Sequence, residues 1–279
     1  MNVRKVKYTD QDGPYNFASS LRQTGFSILT NHPIDKSLID TVYEEWHNFF
    51  NSSNKNHYIF DKEKQDGYFP FGTENAKGHS IKDLKEFFHF YPWGRFPKEL
   101  SNATQELYNQ LLDLTSLLLE WIQNQTPTRV KDGFSMPLQD MIKDSETNLL
   151  RIIHYPPISN HENKKAIRAA AHEDINLITL LVAGTQPGLQ VKDNNGDWHD
   201  VSCDPGCIAV NVGDMLQKVS QDYYPSTTHQ VVNPKFPLKN ISRYSMPLFL
   251  HPRNEVVLSD NLTAIEYLNE RLREIGLKE

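Results

Sequence analysis

The chain lacks most of the features that would take it out of the ordinary globular class. It has only two cysteines, Cys203 and Cys207, in 279 residues, so no disulfide framework can hold it together. It has no long hydrophobic run. The stretch from Ile178 to Ala183 is interrupted by Thr179 and falls far short of the roughly 20 apolar residues that span a bilayer. It has no excess of basic charge: 29 Lys and Arg stand against 35 Asp and Glu, a net charge of −6. That balance argues against an electrostatic grip on nucleic acid or on an anionic membrane. The opening segment, MNVRKVKYTDQDG, lacks the apolar core of a secretory leader. Fixed-period repeats and low-complexity tracts are missing too, which excludes a solenoid or a long disordered tail. The expectation is a reduced, soluble, cytoplasmic protein whose partner is neither nucleic acid nor membrane.

What is present is a 38% hydrophobic chain, long enough to bury a core without covalent or metal staples. The first 125 residues read mainly as helix. Tyr15 to Gln23 follows Pro14 and stops at Gly25, and Phe26 to Leu29 is a short apolar strand. Leu38, Ile39, Val42, Tyr43, Trp46, Phe49 and Phe50 recur at helical spacing, as do Leu107, Leu111, Leu114, Leu118, Trp121 and Ile122 within a helix predicted over 98–125. The segment 62–79 reads as loop. Beyond Thr126 the texture becomes short and β-rich, with strands predicted at 149–155, 175–182, 189–191, 208–210, 230–232 and 244–250. Asn195-Gly196 marks a tight hairpin between Val191 and Trp198. Thr263 and Glu266 have capping-box spacing for a closing helix to Ile275, stopped by Gly276. Many short strands at this spacing suggest a sandwich or barrel. The chain thus divides into a helical region, 1–125, and a β-core with a C-terminal helix, 126–279. No linker separates the two, so they are expected to form one unit.

The 11 histidines matter only if some converge. On an extended backbone, His172 and Asp174 of His172-Glu173-Asp174 point to one face, and His229 lies at the edge of a later strand. Two histidines and one carboxylate leave three positions open on an octahedral ion, which suits Fe(II) oxygen chemistry. Composition alone supplies about one such H-x-[D/E] triplet in a chain like this, so the triplet by itself reads more readily as an exposed turn than as a metal site. Arg243 and Ser245 would likewise share a face, offering a planar fork and a hydroxyl to a carboxylate. An interior arginine would need such an anion, because an unpaired buried charge is costly.

At this point the sequence resembles the iron(II)- and 2-oxoglutarate-dependent dioxygenases of the isopenicillin N synthase-like family. The resemblance rests on LRIIHYPP within 149–157, AAHEDINLITLLVAG at 170–184 and PGLQVKDNNGDWHDV at 187–201. It continues through PGCIAVNVGDMLQKVSQDYYPSTTHQVVNP at 205–234 and RYSMPLFLHP at 243–252, with GFSILTNHPID at 25–35 and DLKEFFHFYP at 83–92 upstream. It implies a mainly β fold with flanking helices: a distorted double-stranded β-helix, or jelly roll, wrapped by N-terminal helices and a C-terminal helix. It implies His172, Asp174 and His229 as iron ligands. Arg243, Ser245 and Tyr155 become contacts of 2-oxoglutarate, and Tyr68, Phe71 and Phe88 candidate contacts of a small-molecule substrate. Plant members often carry Asn two residues before the tyrosine; here that position is Ile153. The implied activity consumes 2-oxoglutarate and O2 and couples oxidative decarboxylation to hydroxylation, desaturation or ring closure. Cys203, Cys207 and the remaining histidines, including His32, His154, His199 and His251, are expected to be structural. The stretch from Asn211 through Gln217 is expected to form a turn and to support the ligands.

Other readings stay open on the same residues. An iron oxidase of the isopenicillin N synthase type would dispense with 2-oxoglutarate and grip a substrate carboxylate with a similar Arg–Ser pair. A jelly-roll binding protein would have lost catalysis, and a zinc hydrolase would need a general base.

Overall fold

Pro14 in the first turn and Gly25 beyond the last bound the first helix. Gly25 adopts a left-handed conformation at φ 69°, and its N–H closes on the Leu21 carbonyl, the glycine stop that left-handed geometry favours. In the computed structural model, residues 1–74, 81–159, 162–163, 165–235, 238–274 and 276 are described. The N-terminal half supplies β1 (Lys5–Lys7), α1 (Gly13–Thr24), β2 (Phe26–Thr30), α2 (Lys36–Phe50), a 3₁₀ turn (Ser53–Tyr58), β3 (Gly67–Phe69), β4 (Glu86–Phe90), α3 (Ala103–Gln125), α4 (Thr128–Lys131) and α5 (Leu138–Ile142). The rest comprises β5 (Leu149–Tyr155), β6 (Ala169–His172), β7 (Ile178–Val182), β8 (Leu189–Lys192), β9 (Trp198–Asp200), β10 (Ile208–Val212), α6 (Asp214–Val219), β11 (His229–Val231), β12 (Arg243–Leu250), β13 (Val257–Ser259), β14 (Leu262–Thr263) and α7 (Ala264–Glu274).

Local chemistry accounts for several boundaries. Asp35 caps α2 by accepting the Ser37 N–H at 2.8 Å. The predicted capping box closes α7: Thr263 N donates to Glu266 at 2.9 Å, and Glu266 N returns a bond to the Thr263 hydroxyl at 3.4 Å. Ile275 lies outside the described residues. The long helix begins at Ala103 rather than 98: residues 97–100 close a separate turn, Leu100 N donating to the Pro97 carbonyl at 3.1 Å, and the Ser101 hydroxyl accepts the Ala103 N–H at 3.1 Å just ahead of the helix.

The strands form an eight-stranded sheet in the order β1-β2-β10-β7-β12-β5-β4-β3, facing a four-stranded sheet in the order β6-β11-β8-β9. This is the distorted jelly roll with flanking helices that the resemblance implied. One feature differs from the helical reading of the first half, since four of the eight strands in the larger sheet come from before residue 125. β4 reads Glu-Phe-Phe-His-Phe and is buried along its whole length; a strand covered on both faces has no polar alternation to give it away. β3 falls in the segment expected to be loop, while residues 75–79 of that segment lie outside the described ones.

The pleat divides the larger sheet's side chains between two cores. Leu150, Ile152, Leu180, Val210, Met246 and Leu248 pack against Phe17, Trp46, Phe49, Leu111 and Leu118 of the helices. Trp46 is fully buried, touches Phe49 and Phe88 at ring-centroid distances of 5.0 and 4.9 Å, and donates from Nε1 to Thr104 at 2.9 Å. It therefore ties α2 to α3 and to the sheet. On the other face Phe26, Ile28, Phe69, Phe87, Ile153, Tyr155 and Ala209 meet Ala169, Leu189, Val191 and Val231 of the smaller sheet. Among the described residues, no helix is long and apolar enough to cross a membrane.

Candidate metal and carboxylate site

His172 ends β6 and His229 opens β11, and the antiparallel register sets them directly opposite one another. Their rings lie 4.4 Å apart between centroids. Asp174 follows two residues after His172, and one donor atom from each of the three lies within 4.8 Å of the others. His172 Nε2 is 3.9 Å and His229 Nε2 3.7 Å from Asp174 Oδ1. Glu173, between the two candidate ligands, points outward and accepts a bond from Thr228.

Each donor is oriented from behind. His172 Nδ1 meets the Ala170 carbonyl at 2.7 Å, and His229 Nδ1 meets the Thr227 carbonyl at 3.1 Å. A carbonyl can only accept, so both rings carry hydrogen on Nδ1 and turn the Nε2 lone pair inward. Asp174 Oδ2 accepts from Thr179 at 2.6 Å and from Asn211 at 2.8 Å, leaving Oδ1 for the centre. Asn176 in turn donates to Thr179 Oγ1 at 3.0 Å. Asn211 lies in the stretch expected to support the ligands. Thr179 was not singled out, although a lone hydroxyl in the apolar run of β7 is the signal that would have found it.

Electrostatics favours the protonation states a metal needs. Burial, followed by the nearby His229, pushes His172 down to about 4, so its imidazole is neutral at physiological pH. Burial opposes charge on Asp174, but His229, His172 and the bonds from Asn211 and Thr179 outweigh it and hold the carboxyl below its usual range. Two imidazole nitrogens and one carboxylate oxygen on a single face suit Fe(II) with three positions left open.

The N-terminal half buttresses this centre. Phe26 packs edge-on against His229 at 5.5 Å. A β-carbon on Gly25 would lie 2.2 Å from Thr227 Oγ1 and 2.7 Å from the Pro225 carbonyl. The end of α1 therefore seats on the loop that delivers His229.

Arg243 and Ser245 do share a face. Arg243 is 2% exposed. It donates from Nε to the Gln186 carbonyl at 3.0 Å and from Nη1 to the Ser245 hydroxyl at 3.1 Å. Its register partner across β5 is Tyr155, whose ring lies 5.0 Å from the guanidinium carbon. Ile153 stands opposite Ser245, so hydrocarbon occupies the position where plant relatives often carry an amide. A β-carbon on Gly184 would approach Arg243 Nη2 to 2.7 Å, which makes glycine a condition of the arginine's placement.

The aromatic candidates separate. Phe88 and Tyr68 belong to the core on the helix-covered face, and Tyr68 gives its hydroxyl to Glu86 there. The pleat turns them away from the space between the sheets, which receives Phe69 and Phe87 instead. Phe71 is 39% exposed, on the rim of a groove of about 270 Å3 that it lines with Ile81, Asp83 and Ala166. Sequence reasoning passed over a charged group on the inner face. Lys85 pairs with Glu74 at 2.7 Å and with Asp83 at 2.9 Å. Arg151 donates to His89 at 3.0 Å and lies 4.5 Å above the Phe87 ring. Part of their signal is the alternation of Asp83, Lys85, Phe87 and His89, which places polar groups on the same face as an aromatic. Cys203 and Cys207 are free thiols. His154 is engaged by Glu86 and Ser242 at 2.7 and 3.0 Å, and His199 by Asp193 at 2.7 Å.

Comparison with known proteins agrees with this geometry. Residues 146–252 match the model of the 2OG-Fe(II) oxygenase superfamily, and residues 15–113 match the N-terminal region of the non-haem dioxygenases in morphine synthesis. A solved structure from Shewanella oneidensis, described as an oxygenase, is 50% identical, with a TM-score of 0.89 over 99% of both chains. A 2OG-Fe(II) oxygenase family protein from Caulobacter crescentus is 30% identical, with a TM-score of 0.80 over 98% of this chain and 99% of its own. The proline hydroxylase buaE of Petromyces alliaceus is 27% identical over 98% of this chain and 94% of its own length. These relatives do not favour an oxidase that dispenses with the cosubstrate. The chain belongs to the 2OG-Fe(II) oxygenase superfamily and is an Fe(II)- and 2-oxoglutarate-dependent oxygenase that uses O2.

Proposed function

We propose that His172, Asp174 and His229 hold Fe(II), that Arg243, Ser245 and Tyr155 hold the distal carboxylate of 2-oxoglutarate, and that the enzyme oxidises a C–H bond of a small molecule lodged between the two sheets. The observation that carries this reading is the convergence of three donor atoms within 4.8 Å, each with its other polar atom already bonded. Bound iron with 2-oxoglutarate and O2 supplies the power to oxidise an unactivated C–H bond, coupled to decarboxylation of the cosubstrate to succinate. The chain itself fixes the ligands, keeps water from the reacting centre and aims the substrate. Hydroxylation, desaturation and ring closure all begin from that positioning.

The inner face supports a flat, polar substrate. Phe60, Phe69 and Phe87 form a ring column with centroid spacings of 4.0 and 4.3 Å, capped by the Arg151 guanidinium 4.5 Å over Phe87, so this wall offers a substrate ring edges and the charged groups of Arg151 and Lys85. Phe71 at the rim is placed to meet a substrate on entry, whereas Tyr68 and Phe88 serve the core. Small molecules are the usual substrates in this family.

Adding 2-oxoglutarate to the Fe(II) protein under anaerobic conditions should produce a visible charge-transfer band. A screen of small polar ring compounds should then find one that raises succinate release in air. No band, together with no succinate from any compound, overturns the reading.

A further inference from the structure

Arg168 stands immediately before β6 and is 1% exposed. Its Nη2 donates to the Ile241 carbonyl at 2.7 Å, while its Nε is buried with no partner. Its titratable neighbours are Arg243, which opposes its charge, and the Tyr155 phenol. Burial and Arg243 lower it to about 10, which still leaves a full positive charge at neutral pH. Among the described residues, no carboxylate pairs with either Arg168 or Arg243. Lys85 offers the contrast, because it also acts on Tyr155 yet is neutralised by Glu74 and Asp83. Two buried guanidiniums around one phenol, without a counter-ion, are costly unless an anion joins them.

The free donors say where that anion would sit. Arg243 commits Nε and Nη1 to Gln186 and Ser245, which leaves Nη2. Arg168 leaves Nε. We propose that Arg168 is a second guanidinium for the distal carboxylate of 2-oxoglutarate, closing on it from the β6 side while Arg243 and Ser245 hold it from β12. This rests on the assignment of Arg243 and Ser245 made above. Its consequence is specificity. The site rejects 2-oxo acids without a distal carboxylate more strongly than one arginine would, because such a ligand leaves two buried cations unpaired.

The test is an anaerobic titration of the Fe(II) protein, read by the charge-transfer band, with 2-oxoglutarate and with 2-oxopentanoate, which lacks the distal carboxylate. R168Q should weaken 2-oxoglutarate about 10- to 100-fold, the range for losing one charged hydrogen bond, and leave 2-oxopentanoate within about twofold. R168K, which keeps the charge and loses the fork, should weaken 2-oxoglutarate less and serves as the working variant if R168Q does not fold. An unchanged Kd for 2-oxoglutarate in both variants overturns the proposal, as does equal weakening of both acids. If the wild-type protein binds the two acids equally, the assignment of Arg243 and Ser245 fails first. If discrimination is lost in R243Q but kept in R168Q, that assignment stands and only Arg168 is excluded.

Discussion

Along the helix-covered face of the larger sheet lie Phe88, Ile152, Met246, Leu180 and Val210; one residue away on each strand, the other face carries Phe87, Arg151, Ser245, Thr179 and Asn211. Polarity alone does not separate the faces. The helix-covered side has its own polar group, in which Glu86 bonds to His154 at 2.7 Å, to Lys55 at 2.9 Å and to Tyr68. That group is closed, with each member partnered. On the inner side Arg168 Nε is orphaned, neither Arg243 nor Arg168 has a counter-ion among the described residues, and two imidazole nitrogens face one carboxylate oxygen. Single orphan atoms occur on the helix-covered side too, at Ser27 Oγ and Glu45 Oε2; what sets the inner face apart is buried positive charge without a counter-ion among the described residues, beside a converging set of metal donors.

Three changes would break or sharpen this contrast. The largest effect is expected from Asp174→Ala on the inner face. It should abolish iron-dependent turnover, read as oxygen uptake and succinate release of the folded protein; unchanged oxygen uptake would refute the ligand assignment. Next comes Phe88→Ala on the helix-covered face. It should cost about 3–5 kcal/mol of stability in urea unfolding, with the charge-transfer band of the folded fraction unaltered. A variant of full stability with an altered substrate range would return Phe88 to the substrate site.

The smallest and most gradual effect is a pH dependence from the inner face. Burial, then Arg151, holds His89 well below its ordinary value of 6.5. Burial alone would raise Glu74, but Lys85 and Arg151 outweigh it and bring the carboxyl from 4.5 to about 2. Both groups bind fewer protons folded than unfolded, so stability must fall as pH falls. The decline should begin near pH 6.5 with His89 and continue from 4.5 toward 2 with Glu74. Urea midpoints across that range measure it, and Glu74→Gln should flatten the lower part of the curve. A curve indifferent to that substitution would mean that the inner pairs hold no stabilising charge.

The positions that converge were legible where period-two spacing sufficed: His172 with Asp174, and Arg243 with Ser245. Many short strands pointed only to a sandwich or barrel, the jelly roll came from the family resemblance, and Thr263 with Glu266 marked the start of the closing helix. Register was not legible. Whether Phe87 or Phe88 faces the inner space depends on the pairing of β4 with β5, which sets Phe88 against Ile152 and Phe87 against Ile153, and adjacent phenylalanines carry no parity of their own. Arg168 was invisible for a related reason. Its significance lies in Arg243 and Tyr155 beside it, and neither is near it in sequence.

The seat between Gly25 and Thr227 has a consequence for biosynthesis. Arg22, one turn earlier in α1, reaches Tyr223 across 201 residues of chain. At ordinary synthesis rates of about 5–20 residues per second, the end of α1 waits on the order of 10–40 s for the loop that covers it. Residues 13–30 therefore leave the ribosome well before His229, and the proposed iron site can be completed only once the loop before β11 arrives on them. A side chain at position 25 would obstruct that seat without altering any of the three proposed ligands.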